Sequence, residues 1–357
     1  MVLKVAVADF MQTNILHHYS VDKVEWESAV QQFPEANFLQ SWNWGVFQER
    51  LGKSVVRFIT KSQTETGSLV VGVCQAVFEK ARRGAYLAVA GGPLSNWEGQ
   101  EEVLHVQLNE LKRIAKELGC SFIRLRPQQV DSPQIQTVVR RCGMSRSPMH
   151  LTADLTLQLD LTQSTDVLLQ EMRKNTRAAI RKATELGITV RQSNDVTEIE
   201  EFYLQQKSLA KRHGFVPFSR MFLEEQFRSF MDDGQVVLFH AYSGDVLLAS
   251  AFIIFYNHEA VYHYGVSTLE NAKLPGSYAC QWAAIRAAQQ LGCTRYNFWG
   301  IAPEAEKQHR FAGVSLFKRG FGGREVAYLP AHDIPLSWRY GLTYLFERLR
   351  SKYRKLE

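Results

Sequence analysis

Residues 262–323 have the types and order an acyl transfer would use. A strand over 262–266 runs into a loop, and Pro275-Gly276-Ser277 opens a helix continuing from Tyr278 to about Gln290. Leu291-Gly292-Cys293 stops the helix, a strand follows over 295–300, and a polar loop leads to the run from Ser315 to Gly323. Its apolar residues read as strand-like. Backbone N–H groups exposed at a helix start between two strands can hold the acyl end of a donor. The sequence has no ligand cluster at zinc spacing, no H-E-x-x-H, no P-loop, no G-x-G-x-x-G and no G-x-S-x-G. His17-His18 and His332-Asp333 fall in loop-like contexts and read as surface pairs. Direct aminolysis of an activated ester or thioester needs neither metal nor covalent nucleophile, because positioning and stabilisation of the tetrahedral oxyanion can suffice. Arg173, Arg177 and Arg181, spaced i, i+4, i+8 with Lys174 beside them, share one face of a helix. That face is either solvated or a contact for phosphates.

Composition bounds the elements that must position these groups. A chain of 357 residues, 45% hydrophobic and 22% charged, has the makings of a globular protein of two domains or one large one. No run reaches the roughly 20 apolar residues of a membrane span, and the first residues lack the apolar core of a signal peptide. Five cysteines, odd in number and widely spaced, read as reduced and buried, which suits the cytosol. A net charge of +6 and pI near 9.0 permit an anionic partner such as tRNA, a nucleotide or an anionic lipid.

Along the chain, a short strand is expected over 3–7, helices over 22–32 and from Ser41 to Leu51, and a hairpin over 55–59 and 69–78. A strand over 85–89, a helix over 101–118 and a strand over 121–125 complete a first unit. Residues 235–239 mirror 54–58, 244–255 mirror 67–78, and Leu291-Gly292-Cys293 mirrors Leu118-Gly119-Cys120. Three matches in the same order predict two copies of one α/β unit. A strand over 154–161, the basic helix and a helix over 198–211 lie between the mirrored parts. The terminal helix, 338–355, puts Trp338, Leu342, Leu345 and Leu349 on one face and ends in Arg348, Arg350, Lys352, Arg354 and Lys355. That face is expected to pack on the first unit, with membrane or RNA contact as the second reading.

The repeated unit resembles the GNAT acyltransferase fold. Phe38-Leu39-Gln40-Ser41 with Trp44-Gly45, residues 173–190, Tyr264-Gly265 with Ser277-Tyr278, Trp282 and Phe298-Trp299-Gly300, and Phe317-Lys318 with Phe321-Gly322-Gly323 resemble the FemABX peptidyltransferases over residues 37–335. The resemblance implies two tandem GNAT-like domains with mixed sheets flanked by helices, one of 1–152 plus 328–357 and one of 153–327. It implies transfer of an amino acid from aminoacyl-tRNA to the side-chain amine of the third stem residue of a peptidoglycan precursor. No cofactor is implied. The acceptor would be a UDP-linked or lipid-linked muropeptide, and the protein a cytoplasmic monomer with room for peripheral contact at the inner face of the plasma membrane.

Residue by residue, the resemblance puts the catalytic Phe-Lys pair on Phe317 and Lys318, whose ammonium would stabilise the oxyanion. It puts the diphosphate-gripping arginine on Arg212, tRNA or phosphate contacts on Arg173, Lys174, Arg177 and Arg181, and substrate contacts on Gln40, Trp44, Tyr262, Tyr264 and Tyr278. Alternate strand residues share a face, so Tyr262 and Tyr264 should point the same way. Two departures stand out. Gln48 occupies a position where the family often has a gripping lysine, and residues 181–190 carry no coiled-coil arm. The alternatives are an acyl-CoA-dependent N-acyltransferase on the same fold and a non-catalytic binding protein. The turn 274–278, with one glycine and a tyrosine, is a poorer pyrophosphate cradle than the GNAT pattern.

Overall fold

The computed structural model describes residues 15–65, 67–81 and 84–354, so the strand expected over 3–7 lies outside the described residues. Two mixed sheets carry the chain. The first orders its strands Ile15–His18, Ser54–Thr64, Gly67–Ala81, Gly84–Gly91, Cys120–Pro127, His332–Pro335 and Ser145–Arg146, with Leu94–Ser95 paired to Gly67–Ala81. The second orders Arg324–Ala327, Leu155–Asp160, Arg295–Gly300, Glu259–Ser267, Val246–Tyr256, Val236–Ser243 and Thr189–Ser193. Each sheet contains the repeat read from the sequence. Three antiparallel strands lead to a helix (Glu101–Glu117 or Gly276–Gln290) and then to a strand parallel to the third.

Local chemistry accounts for the helix starts. Ser41 Oγ accepts from Trp44 N at 3.0 Å to cap Trp42–Arg50, and Asp22 caps Lys23–Val30 in the same way. In Glu101–Glu117, Leu104, Leu108, Leu111 and Ala115 fall on one buried face against the first sheet. Gly276 sits where a Cβ would come within 2.4 Å of Leu248 Cβ, so only glycine lets this helix approach its sheet so closely. All five cysteines are free and buried.

An apolar seam joins the two halves. Trp26, Phe38 and Leu39 share a core with Phe202, Phe227, Phe230 and Phe252. Hydrogen bonds stitch its rim. Tyr256 Oη donates to Glu27 at 2.5 Å, Asn43 donates to Gln235 at 2.9 Å and to Asp233, and Asn257 Nδ2 donates to the carbonyls of Phe33 and Ala36.

Three sequence expectations are corrected. His17-His18 lies in a strand, not a loop. His332-Asp333 is also a strand, and it is buried. Asp333 accepts from Arg124 Nε and Nη2, both at 2.8 Å, and from Tyr340 Oη at 3.0 Å. The terminal helix, Arg339–Arg354, turns its polar side inward. Tyr340 packs on Phe122 and Glu347 accepts from Arg124, while the leucine face points outward. The sheet face it meets carries a buried arginine, which selects the acidic and hydroxyl side chains of the helix over its leucines.

Loss of Asp333 would take two charge-assisted hydrogen bonds from the buried Arg124 guanidinium and leave it only the partly buried Glu347 carboxylate. Asp333→Ala is therefore expected to lower unfolding stability by about 3–5 kcal/mol. A urea midpoint equal to that of the parent would contradict the role assigned to this pair.

Candidate functional site

The two parallel strand pairs differ where chemistry would need room. In the first sheet, Gly84–Gly91 and Cys120–Pro127 stay paired from Ala85–Cys120 to Gly91–Pro127. In the second, Glu259–Ser267 and Arg295–Gly300 pair at Glu259–Arg295, Ala260–Tyr296 and Val261–Asn297, and no further register pair joins them. The strands fork there. Asn297 holds the fork's base, donating to Glu259 Oε1 at 3.0 Å and accepting from Trp299 N at 2.8 Å. Trp299 adopts φ +61°, a left-handed backbone uncommon for so bulky a residue, which swings the chain away from its former partner.

The helix Ala312–Arg319 fixes this outward turn. Ser315 Oγ accepts from Ala302 N at 2.8 Å, Arg319 Nη2 donates to Ala302 O at 2.7 Å, and Lys318 Nζ donates to Gly300 O at 2.7 Å. Phe317 and Lys318, expected in a strand-like run, lie in this helix, which buries Ser315 and Lys318 while Val314 and Leu316 face solvent. Phe317 contacts Tyr278 and Phe321 edge-on, with centroids 5.0 and 5.3 Å apart. Lys318 is only 7% exposed, its Nζ 5.6 Å from the Tyr262 ring centroid. Among the described residues no carboxylate pairs with it, and burial pushes its pKa down to about 7.

Tyr262 and Tyr264 do not share a face. Phe252 pairs with Tyr264 and Ile253 with Tyr262, so His263 is the extra residue of a β-bulge. The bulge shifts the alternation by one. Tyr262 joins Tyr278, Phe298 and Phe317 on the second unit's own core, while Tyr264 joins the seam with Phe218 and Phe252. Sequence reasoning passed over His263. Its ring lies among Phe38, Phe252, Tyr264 and Trp299, and neither ring nitrogen has a hydrogen-bond partner among the described residues. Burial pushes its pKa down to about 3. The only signal in the sequence was a histidine between two tyrosines, since a bulge has no composition of its own.

The remaining candidates divide into scaffold and surface. Gln40 is fully buried and bonded to main chain, accepting from Gln75 N at 2.8 Å and donating to Gln75 O and Ala90 O. It stitches two strands of the first sheet and is not available to a substrate. Trp44 is half-buried on Phe38 and Phe47, part of the seam. Gln48 is buried and accepts from Lys53 Nζ at 3.0 Å. Arg177 folds back on the preceding turn to donate to the carbonyls of Leu169, Gln170 and Met172. The expected three-arginine face therefore loses its middle member, while Arg173, Lys174 and Arg181 stay exposed. Arg173 N donates to Gly320 O at 2.9 Å, which ties the start of the basic helix to the end of the Lys318 helix. Arg212 is exposed near the far end of the forked strand, donating to Ser267 O at 2.5 Å.

The helix start at Gly276 is less open than the sequence suggested. Gly276 N bonds Leu274 O and Ser277 N bonds Asn271 Oδ1, so two of its N–H groups have internal partners. Glu101, His105 and Cys142, a grouping not visible from spacing, bring three metal-type donor atoms within 4.8 Å. Arg141 already pairs with that glutamate.

Comparison with known proteins follows the same division. A FemAB family model matches residues 21–136 and an acetyltransferase (GNAT) domain model residues 170–308. Aminoacyltransferase FemA of Staphylococcus epidermidis is 32% identical over 88 residues, 25% of this chain and 21% of that protein. FemA of Staphylococcus aureus (strain MW2) is 36% identical over 87 residues, 24% and 21% of the two chains. The alignments thus span about a fifth of the length of these curated relatives. Among solved structures, a crystal structure of FemX superposes with TM-score 0.82 at 18% identity, over 93% of this chain and all of that one. A tandem GNAT protein from the clavulanic acid biosynthesis pathway superposes at 0.56 and 12%, over 90% and 99%.

The buried amine yields a stability test. Lys318 has a pKa near 7 in the folded chain against 10.5 for an ordinary lysine, so the unfolded chain binds more protons between those values. Its burial therefore disfavours folding fully below pH 7, and the penalty fades as pH rises toward 10.5. Lys318→Met should be more stable than the parent at about pH 6, by on the order of 3 kcal/mol after loss of the Gly300 bond. The gain should shrink by about pH 10. A gain independent of pH would show that desolvation of this amine is not its source.

Proposed function

We propose that the chain is a member of the FemABX family and an aminoacyltransferase acting at the fork of its second unit. The donor is an aminoacyl-tRNA and the acceptor the side-chain amine of the third stem residue of a UDP-linked or lipid-linked muropeptide. The domains are 1–152 with 328–357 and 153–327. The protein acts in the cytoplasm as a monomer, at the inner face of the plasma membrane when its acceptor is lipid-linked.

One observation carries this reading: the amine of Lys318, buried beside the fork and held by Gly300 O. The acceptor amine attacks the ester carbonyl of the donor, forming a C–N bond and a tetrahedral oxyanion. The Lys318 ammonium stabilises that oxygen. Collapse breaks the ester C–O bond, the electron pair leaves with the ribose oxygen, and the proton lost by the attacking nitrogen ends on that hydroxyl. An oxyanion or phosphate close to Lys318 raises its pKa, because an opposite charge favours the ammonium. Phe317 is a positioning residue that seats the Lys318 helix on Tyr278. Arg173, Lys174 and Arg181 offer exposed cations to donor or acceptor phosphates, and Arg212 offers one at the far end of the strand.

The acyl-CoA reading has the GNAT-domain match in its favour. Against it, the helix start that would receive a pyrophosphate is partly bonded to its own loop.

The discriminating experiment offers the protein a stem-pentapeptide precursor with labelled aminoacyl-tRNA or labelled acetyl-CoA. Label is expected to pass from tRNA to the precursor, with turnover lower by at least roughly 100-fold in Lys318→Met. Transfer from acetyl-CoA alone would replace the proposal with an N-acyltransferase, and undiminished turnover in the variant would remove Lys318 from the chemistry.

A further inference from the structure

The terminal helix Arg339–Arg354 presents an apolar stripe to solvent. Trp338, just before it, and Leu342, Leu345 and Leu349 are 77%, 62%, 57% and 60% exposed. Their spacing of i, i+4, i+7, i+11 puts all four on one face. The opposite face is anchored, with Tyr340 and Thr343 buried and Glu347 accepting from Arg124 at 2.7 Å.

The charges are sorted to match. Arg339 and Arg350 lie on one flank of the stripe and Arg348 on the other, all exposed. Glu347 is the one acidic residue between Arg339 and Arg354, and it is paired inward. On the Arg348 flank, a cavity of about 360 Å³ is lined by Arg146, His150, Asp154, Tyr344 and Arg348.

We propose that this helix docks the protein on the surface of an anionic phospholipid bilayer. Trp338 and the leucines enter the boundary between headgroups and acyl chains, and the flanking arginines meet lipid phosphates. Arg348 and Arg146 receive one headgroup in the adjoining cavity. Charge complementarity selects this occupant. A second copy would set Arg339, Arg348 and Arg350 against their own kind. A nucleic acid would satisfy the arginines but lay its phosphates over a tryptophan and three leucines. The inference does not depend on the proposed transfer reaction.

Co-sedimentation tests it, using vesicles of phosphatidylcholine mixed with phosphatidylglycerol and vesicles of phosphatidylcholine alone. The protein should pellet with the mixed vesicles, less so as salt rises, and poorly with the neutral ones. The double variant Leu342→Glu, Leu345→Glu should lose at least roughly tenfold in vesicle affinity. Its thermal melting should match the parent, because both leucines are exposed. Arg348→Gln should weaken binding to the mixed vesicles selectively. No pelleting of the parent, or equal pelleting of the double variant, would overturn the proposal. So would light scattering that finds a dimer which the double variant converts to a monomer, or a tRNA complex, in place of vesicle binding, that the double variant loses.

Discussion

A lysine amine hydrogen-bonded to one backbone carbonyl organises the second half of this protein. Lys318 reaches Gly300 O from a helix whose Ser315 and Arg319 hold Ala302 on both its N–H and its carbonyl. Those three contacts join the Asn297 bond to Trp299 N and the pairing of Gly300 with Thr156 in holding Trp299 in its left-handed conformation and the strand end away from Glu259–Ser267. The same burial that lets the amine brace the turn strips it of water and brings its proton affinity close to neutrality. Support and the lowered proton affinity therefore have one origin. A more solvated lysine would be an ordinary ammonium, and a methionine would leave the carbonyl of Gly300 without this donor.

Duplication gave the chain two forks in principle and one in fact. The first unit keeps its parallel strands zipped to Gly91–Pro127, and Gln40 bonds both Gln75 and Ala90 beside them. That copy has become a buttress. Its Phe38 lies within ring-contact distance of His263 and Trp299, against the open fork of its sister. The seam between the copies is a core in its own right, with Phe227, Phe230 and Phe252 facing Trp26 and Leu39. A shared core of this kind favours a fixed relation between the copies over a hinge.

Much of this was legible in the sequence, because periodicity and repetition are local properties. The order of elements, the Ser41 cap, the helix after Pro275 and the repeat all follow from spacing. The misreadings share a different cause. A bulge at His263 reverses which face Tyr264 takes, and no residue type announces a bulge. Arg177 looked like part of a cationic face but turned to three carbonyls that sequence cannot show. The helix around Lys318 is only Ala312–Arg319, too short for its period to separate it from a strand. His332-Asp333 looked like a surface pair because its partner, Arg124, lies more than 200 residues earlier.

The return of the chain to the first sheet bears on how the molecule is made. His332–Pro335 lies between Cys120–Pro127 and Ser145–Arg146, and Asp333 neutralises an arginine that otherwise stays buried without it. A ribosome delivers every strand of the second sheet, through Ala327, before it delivers this one. Domains usually mature in order from the N-terminus. Here the first unit must wait, its sheet lacking an interior strand and its Arg124 unpaired, until the second is complete. The half that begins synthesis is the half that finishes folding last.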